Sequence, residues 1–194
     1  LQGFIGEDYA LADGEKENIA HAIAEHYFPL GGNGELASAI EGKIVSIADK
    51  IDTICALFIS TQGANKKKRP TGSNDPLGAR RAAIGILRTV IENKLDINLE
   101  ELIKYSISVL SEEFSIPVED ELLDDIKEFF IQRLLFMYEK EIPNNIFSAI
   151  TCFNPLENLA SFIKRAEILI KHQINSDFEA IKENATRVSR ILKD

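Results

Sequence analysis

The sequence predicts an all-α fold. Apolar residues recur at helical spacing over most of the 194 residues, and no stretch alternates with the two-residue period of a half-buried strand. Gly, Pro and Asn fall between the periodic segments, where helices must stop. A 45% hydrophobic content supplies a real core. No apolar run reaches the roughly 18 residues a membrane span needs.

About eight helices follow in order. Residues 15–28 place Ile19, Ala22, Ile23 and His26 on one face, with Asp13 and Gly14 ahead as a start signal. Pro-Leu-Gly-Gly-Asn-Gly at 29–34 ends that helix. Residues 38–60 carry Ile40, Ile44, Ile47, Ala48, Ile51, Ile54, Cys55 and Phe58 on a broad apolar face. The polar segment 61–74 reads as a loop. Asp75 suits an N-cap and Pro76 the first helical position, so a helix is expected to about Lys94, burying Ala83, Ile84, Ile86, Leu87, Val90 and Ile91.

Asn98 caps a helix at 99–114, striped by Leu99, Leu102, Ile103, Leu110 and Phe114. Acidic Glu119 to Glu121 suit the first turn of 119–140, which carries Leu122, Leu123, Ile126, Phe129, Phe130, Leu134 and Met137. Pro143 and Pro155 bracket a shorter helical piece, and 156–173 and 176–193 supply two more. There is no internal repeat and no low-complexity tract.

Charge is distributed unevenly. The net charge is −9, yet six of the 22 Lys and Arg fall within residues 66–81: Lys66, Lys67, Lys68, Arg69, Arg80 and Arg81. Between Thr61 and Lys94, eight basic residues face two acidic ones, a local balance of +6. Clustered positive charge is the footprint of a phosphate backbone, because neutralising phosphates releases counterions. It is also the ordinary look of a solvated lysine-rich loop. On a helical wheel Arg81 and Arg88 project together beside the apolar arc, whereas Arg80 falls within the arc and must snorkel or pair. No aromatic residue accompanies the cluster, so base stacking is not expected there.

Other chemistry-bearing residues are sparse. Asp49 and Asp52, three apart on one helix, could hold a metal or share a proton, but with Lys50 beside them a solvated helix edge is the simpler account. His26 lies on an apolar face and fits a hydrogen-bonded core residue, while His21 and His172 look exposed and isolated. Cys55 and Cys152 lack CxxC spacing and fit reduced intracellular thiols. The start at Leu1, with Met137 the sole methionine, points to a piece of a longer protein.

One stretch is more specific than any of these. The run ADKIDTICALF at 48–58, followed by RPTGSNDPLGARRAAIGILRTVIENKL at 69–95, closely resembles the β subunit of the bacterial two-subunit glycyl-tRNA synthetase. LQGFIGEDYALADGE at the start, EHYFP at 25–29 and RVSRIL at 187–192 extend the resemblance over nearly the whole chain. STQGANKKKR at 60–69 departs from the family, whose linker is shorter and less basic, so the lysines look like a local elaboration.

The resemblance implies three parts. Residues 1–62 are the later half of an HD-like helical domain, 63–153 the basic loop with a helical bundle, and 154–194 the start of a helical anticodon-binding domain of the DALR type. It implies a non-catalytic, tRNA-handling piece of a cytoplasmic glycine–tRNA ligase, working with tRNA(Gly) and the α subunit in an α2β2 assembly. ATP and Mg are used by the α subunit, and no cofactor is expected on this chain. RNA-contacting candidates are Lys66, Lys67, Lys68, Arg69, Arg80, Arg81 and Arg88. Of an HD metal set only Asp49 has a match, with His26 near an auxiliary position. The alternatives are a metal-dependent HD-type phosphohydrolase and a helical scaffold whose arginines serve subunit contacts.

Overall fold

The chain's computed structural model describes residues 2–70, 74–172 and 176–191. Among them are nine α-helices and no strand. The helix beyond the expected eight is α1 (Gln2–Ala12). Its aromatic and aliphatic residues Phe4, Ile5, Tyr9 and Leu11 are exposed, so no buried apolar stripe announces it. It packs on α2 (Glu17–Glu25) through small residues. A Cβ on Gly3 would stand 2.8 Å from the Ala24 carbonyl oxygen, and one on Gly6 2.8 Å from the Ile23 side chain.

Asp13-Gly14 therefore stops α1 and does not start α2. Gly14 has φ +85°, and its N–H donates to the Leu11 carbonyl while that of Glu15 donates to Ala10. This is the left-handed helix stop that glycine favours. Helix α2 begins after Lys16 with no side-chain cap.

Helix α3 (Ile40–Ser60) is the central element and packs against α2, α4, α5 and α6. Ile47, Ile51, Ile54, Cys55 and Phe58 are buried as the pattern requires, but Ile40, Ile44 and Ala48 are not. Lys50, expected on a solvated edge, is turned inward and buried. Its Nζ donates to the His26 carbonyl and the Ser46 hydroxyl, 2.8 Å each. Those bonds satisfy a helix-end carbonyl that would otherwise lack a partner.

Asp75-Pro76 opens a 3-10 turn, Pro76–Gly78, in which Leu77 and Gly78 have φ 57° and 68°. The α-helix proper, α4 (Ala79–Glu92), starts after it and ends two residues short of Lys94, whose own φ is 52°. Asp75 still caps, since its Oδ1 accepts from the Arg80 backbone N–H at 2.8 Å. Helix α5 (Leu99–Phe114) has the expected bounds, with Asn98 accepting from the Glu101 N–H at 3.1 Å. Leu99, Ile103, Ile107 and Leu110 are buried, whereas Leu102 and Phe114 are exposed.

Helices α6 (Leu122–Tyr138), α7 (Asn144–Thr151), α8 (Leu159–His172) and α9 (Ser176–Ile191) complete the chain. Hydrophobic packing is continuous from Ile47 on α3 to Ala166 on α8, with Phe130, Ile150, Leu156 and Phe162 among its fully buried members. The 154–156 segment is stitched to α5: Leu99 N–H donates to the Leu156 carbonyl at 2.9 Å, and Asn154 donates to Glu100. Ile181 and Val188 on α9 are exposed.

Candidate nucleic-acid interface

The basic segment is a folded turn and not a free loop. Residues Gly63–Lys68 form a 3-10 helix directly after α3. Gln62 anchors it, donating to the carbonyls of Ile59 and Pro117 and accepting from the Glu119 N–H at 2.7 Å. Lys66 Nζ lies 3.1 Å from Glu121, 3.4 Å from Asp125 and 3.6 Å from Glu119. Arg69 donates from Nη1 to Asp125 Oδ2 at 2.6 Å, with its guanidinium 4.9 Å from the Phe58 ring centre. The local +6 is thus partly answered by the acidic start of α6, more than 50 residues away in sequence.

Asp75 organises a second group. Arg80 Nε and Arg81 Nε stand 3.7 and 3.6 Å from its two carboxylate oxygens. Arg80 therefore pairs within the arc where snorkelling was the other option. Arg133, which sequence reasoning passed over, belongs to the same neighbourhood. Burial foremost, with the charge of Arg80 beside it, lowers the Arg133 guanidinium below its usual range, and Asp75 opposes the shift. Arg133 also stacks 4.1 Å from the Phe129 ring centre and donates to the Phe129 carbonyl. The available signal was a single arginine set among the apolar positions of 122–138.

Arg81 and Arg88, seven residues apart on α4, differ in exposure. Arg81 is 67% exposed and lies beside Gly78, where a Cβ would come within 2.9 Å of its Nη2. Arg88 is largely enclosed, donating from Nη1 to the carbonyls of Gly32 and Gly34 at 2.9 Å each and from Nε to Glu92 at 2.6 Å. It ties the 29–34 turn to α4. Lys67 and Lys68 are exposed and have no ion pair among the described residues. Thr71, Gly72 and Ser73, most of the Pro-Thr-Gly-Ser turn, lie outside the described residues.

A family profile described as the glycyl-tRNA synthetase beta subunit matches residues 1–152. The chain belongs to that family. It is 36% identical over 195 residues to the glycine–tRNA ligase beta subunit of Syntrophus aciditrophicus, with all of this chain and 27% of the relative covered. The subunit of Citrifermentans bemidjiense is 34% identical over 194 residues, again with all of this chain and 27% of the relative covered. That of Pseudomonas syringae pv. tomato is 36% identical over 194 residues, covering 99% and 27%. The chain thus spans about a quarter of the length of these β subunits.

An HD-type metal site does not fit the residues present. Asp49 and Asp52 are exposed on α3, and Lys50 between them is buried. His26 Nδ1 bonds to the Ile23 carbonyl at 2.7 Å. Among the described residues no three His, Cys, Asp or Glu gather as metal ligands. His21, expected to be isolated, contacts Glu7 through Nδ1 at 2.5 Å. Burial pushes the Cys55 thiol up to about 11, which leaves it a poor nucleophile near neutrality.

Proposed function

We propose that this chain is a non-catalytic, tRNA-handling stretch of a glycine–tRNA ligase β subunit, supporting ATP-dependent charging of tRNA with glycine. The observation that carries the reading is the family match over residues 1–152, joined by relatives that align over essentially all of the chain. Its partners are tRNA(Gly) and the α subunit in an α2β2 assembly, with ATP and Mg handled by the α subunit, in the cytoplasm.

Within this reading Lys67, Lys68 and Arg81 are the groups that meet phosphate. They are the exposed members of the basic set: Lys67 and Lys68 reach RNA without breaking an ion pair among the described residues, and Arg81 does so by exchanging its 3.6 Å contact with Asp75. Lys66 and Arg69 hold the turn that presents the two lysines, Arg80 supports Arg81 at Asp75, and Arg88 shapes the 29–34 turn.

The test is tRNA(Gly) binding across a salt series. Replacing Lys67, Lys68 and Arg81 with Ala is expected to weaken binding and to lower the salt slope by about one unit for each phosphate that is no longer neutralised. Unchanged affinity and slope would transfer the role to the scaffold reading. Five basic residues held by this chain's own acids and carbonyls favour that second reading, which cross-linking Arg80 and Arg81 to protein and not to RNA would support.

A further inference from the structure

Helices α3 and α5 pack together, and residues of both line an apolar groove of about 790 Å³. Ile47 and Ile51 form its floor. Ile40 and Ile44 stand along one wall, and Leu102, Tyr105 and Val109 along the other, all five exposed. Ile44 is 59% and Tyr105 69% exposed. Ile40, Ile44 and Leu102 are members of the α3 and α5 stripes that the core does not use. An apolar surface of this extent open to water is costly unless something covers it.

The shape and charge of the groove specify its occupant. Its α3 side repeats at positions 40, 44, 47 and 51, the spacing of a ridge that another helix packs against. That run is about 16 Å long at 1.5 Å per residue, or roughly three helical turns. The charged residues lining it are Asp49, Asp52 and Asp96, all exposed, and no Lys, Arg or His lines it. Lys50, between Asp49 and Asp52 in sequence, is turned inward toward His26 and Ser46. We propose that this groove docks an amphipathic helix of a partner protein, its apolar stripe seated between α3 and α5 and its flanking Lys or Arg over Asp49, Asp52 and Asp96. A helix laid in a groove through apolar anchors at three- and four-residue spacing is a recurrent recognition mode, and the acidic rim selects basic flanks.

The probe is a capped 14-residue peptide of Leu and Lys in helical heptad spacing, with a Leu and Glu twin, followed by fluorescence anisotropy. The Leu/Lys peptide is expected to saturate the protein one to one, and the twin to bind at least tenfold more weakly. Ile44→Gln with Val109→Gln removes apolar wall without touching the core and should cost at least tenfold in affinity, with an unchanged circular dichroism spectrum. Asp49→Asn, Asp52→Asn and Asp96→Asn together should lower affinity and flatten its salt dependence. Equal binding of both peptides would overturn the proposal, as would Leu/Lys binding indifferent to the Ile44 and Val109 changes, since that is attraction to the chain's overall −9. A concentration-dependent dimer in sedimentation that the Ile44 and Val109 changes abolish, and that the peptide does not displace, would assign the groove to a second copy and also overturn it.

Discussion

Glu25 and Ser38 are joined twice through one oxygen: Glu25 Oε1 accepts from the Ser38 backbone N–H at 2.9 Å and from its hydroxyl at 2.6 Å. The other oxygen accepts from the Ala39 N–H at 3.1 Å. Glu25 thus caps α3 from the end of α2, where Ala39 has no side chain able to do so. Gly42 backs onto the same carboxylate, and a Cβ there would collide with it.

Replacing Glu25 with Ala is expected to destabilise the fold by about 1–3 kcal/mol at pH 7, the range for leaving donors in a partly buried site without their acceptor. Burial alone would raise the Glu25 pKa, but the bonds from Ser38 and Ala39 outweigh it and hold the carboxyl below its usual value. A depressed carboxylate contributes stability above its unfolded pKa and loses it as pH falls through the folded one. Urea denaturation should therefore show the wild-type advantage over Glu25→Ala shrinking below about pH 4. A pH-independent gap would count against the capping role.

The Arg69–Asp125 pair makes a different prediction. Arg69 is only 14% exposed, so removing Asp125 leaves a guanidinium poorly solvated. Asp125→Ala should cost about 1–3 kcal/mol, between the values for exposed and buried pairs. It should also free the Gly63–Lys68 turn, raising its amide hydrogen exchange. Unchanged exchange there would mean that Gln62 and the Lys66 pairs with Glu119 and Glu121 hold the turn without Asp125.

Lys50 supplies a signature on the alkaline side. Burial lowers its pKa to about 8, with Asp49 opposing. Between pH 8 and the unfolded value near 10.4, the unfolded chain binds the proton that the folded chain has released, so stability rises with pH through that window. The neutral amine keeps both hydrogen bonds, to the His26 carbonyl and to Ser46. Measured against Lys50→Met, wild type should gain on the order of 3 kcal/mol from pH 7 to pH 10.5. A flat difference across that window would show that the amine is not buried as a charge.

What could be read from the sequence depended on whether the deciding partner lay nearby. Helix α5 was legible to the residue because its cap, Asn98, and its first turn are adjacent. Asp13-Gly14 was legible as punctuation but not as to which helix it punctuates, since α1 buries glycine and alanine and carries no stripe. The basic segment was visible as a density of charge. Its answer in Glu119, Glu121 and Asp125 was not, because only the fold brings α6 beside the end of α3. Lys50 reads as a surface residue beside two aspartates until its long stem is seen crossing to the end of α2. The specific run from Ala48 to Leu95 pointed to the family, yet its side chains do structural work that a motif does not record: Arg88 closes a turn, and Asp75 gathers arginines.

Gly85, midway along α4, sits where three elements converge. A Cβ there would be 3.0 and 3.2 Å from Pro29 Cδ and Cγ and 3.5 Å from Lys50 Cε. Substitutions at positions 29, 50 and 85 are therefore not independent: the energetic cost of each depends on what occupies the other two, because they share one volume. A larger residue at 85 meets Pro29 first and Lys50 next, so it is best tolerated where position 29 has shrunk or shifted. The chain's freedom to vary here is thus a property of the trio, and the order in which changes arrive decides which of them survive.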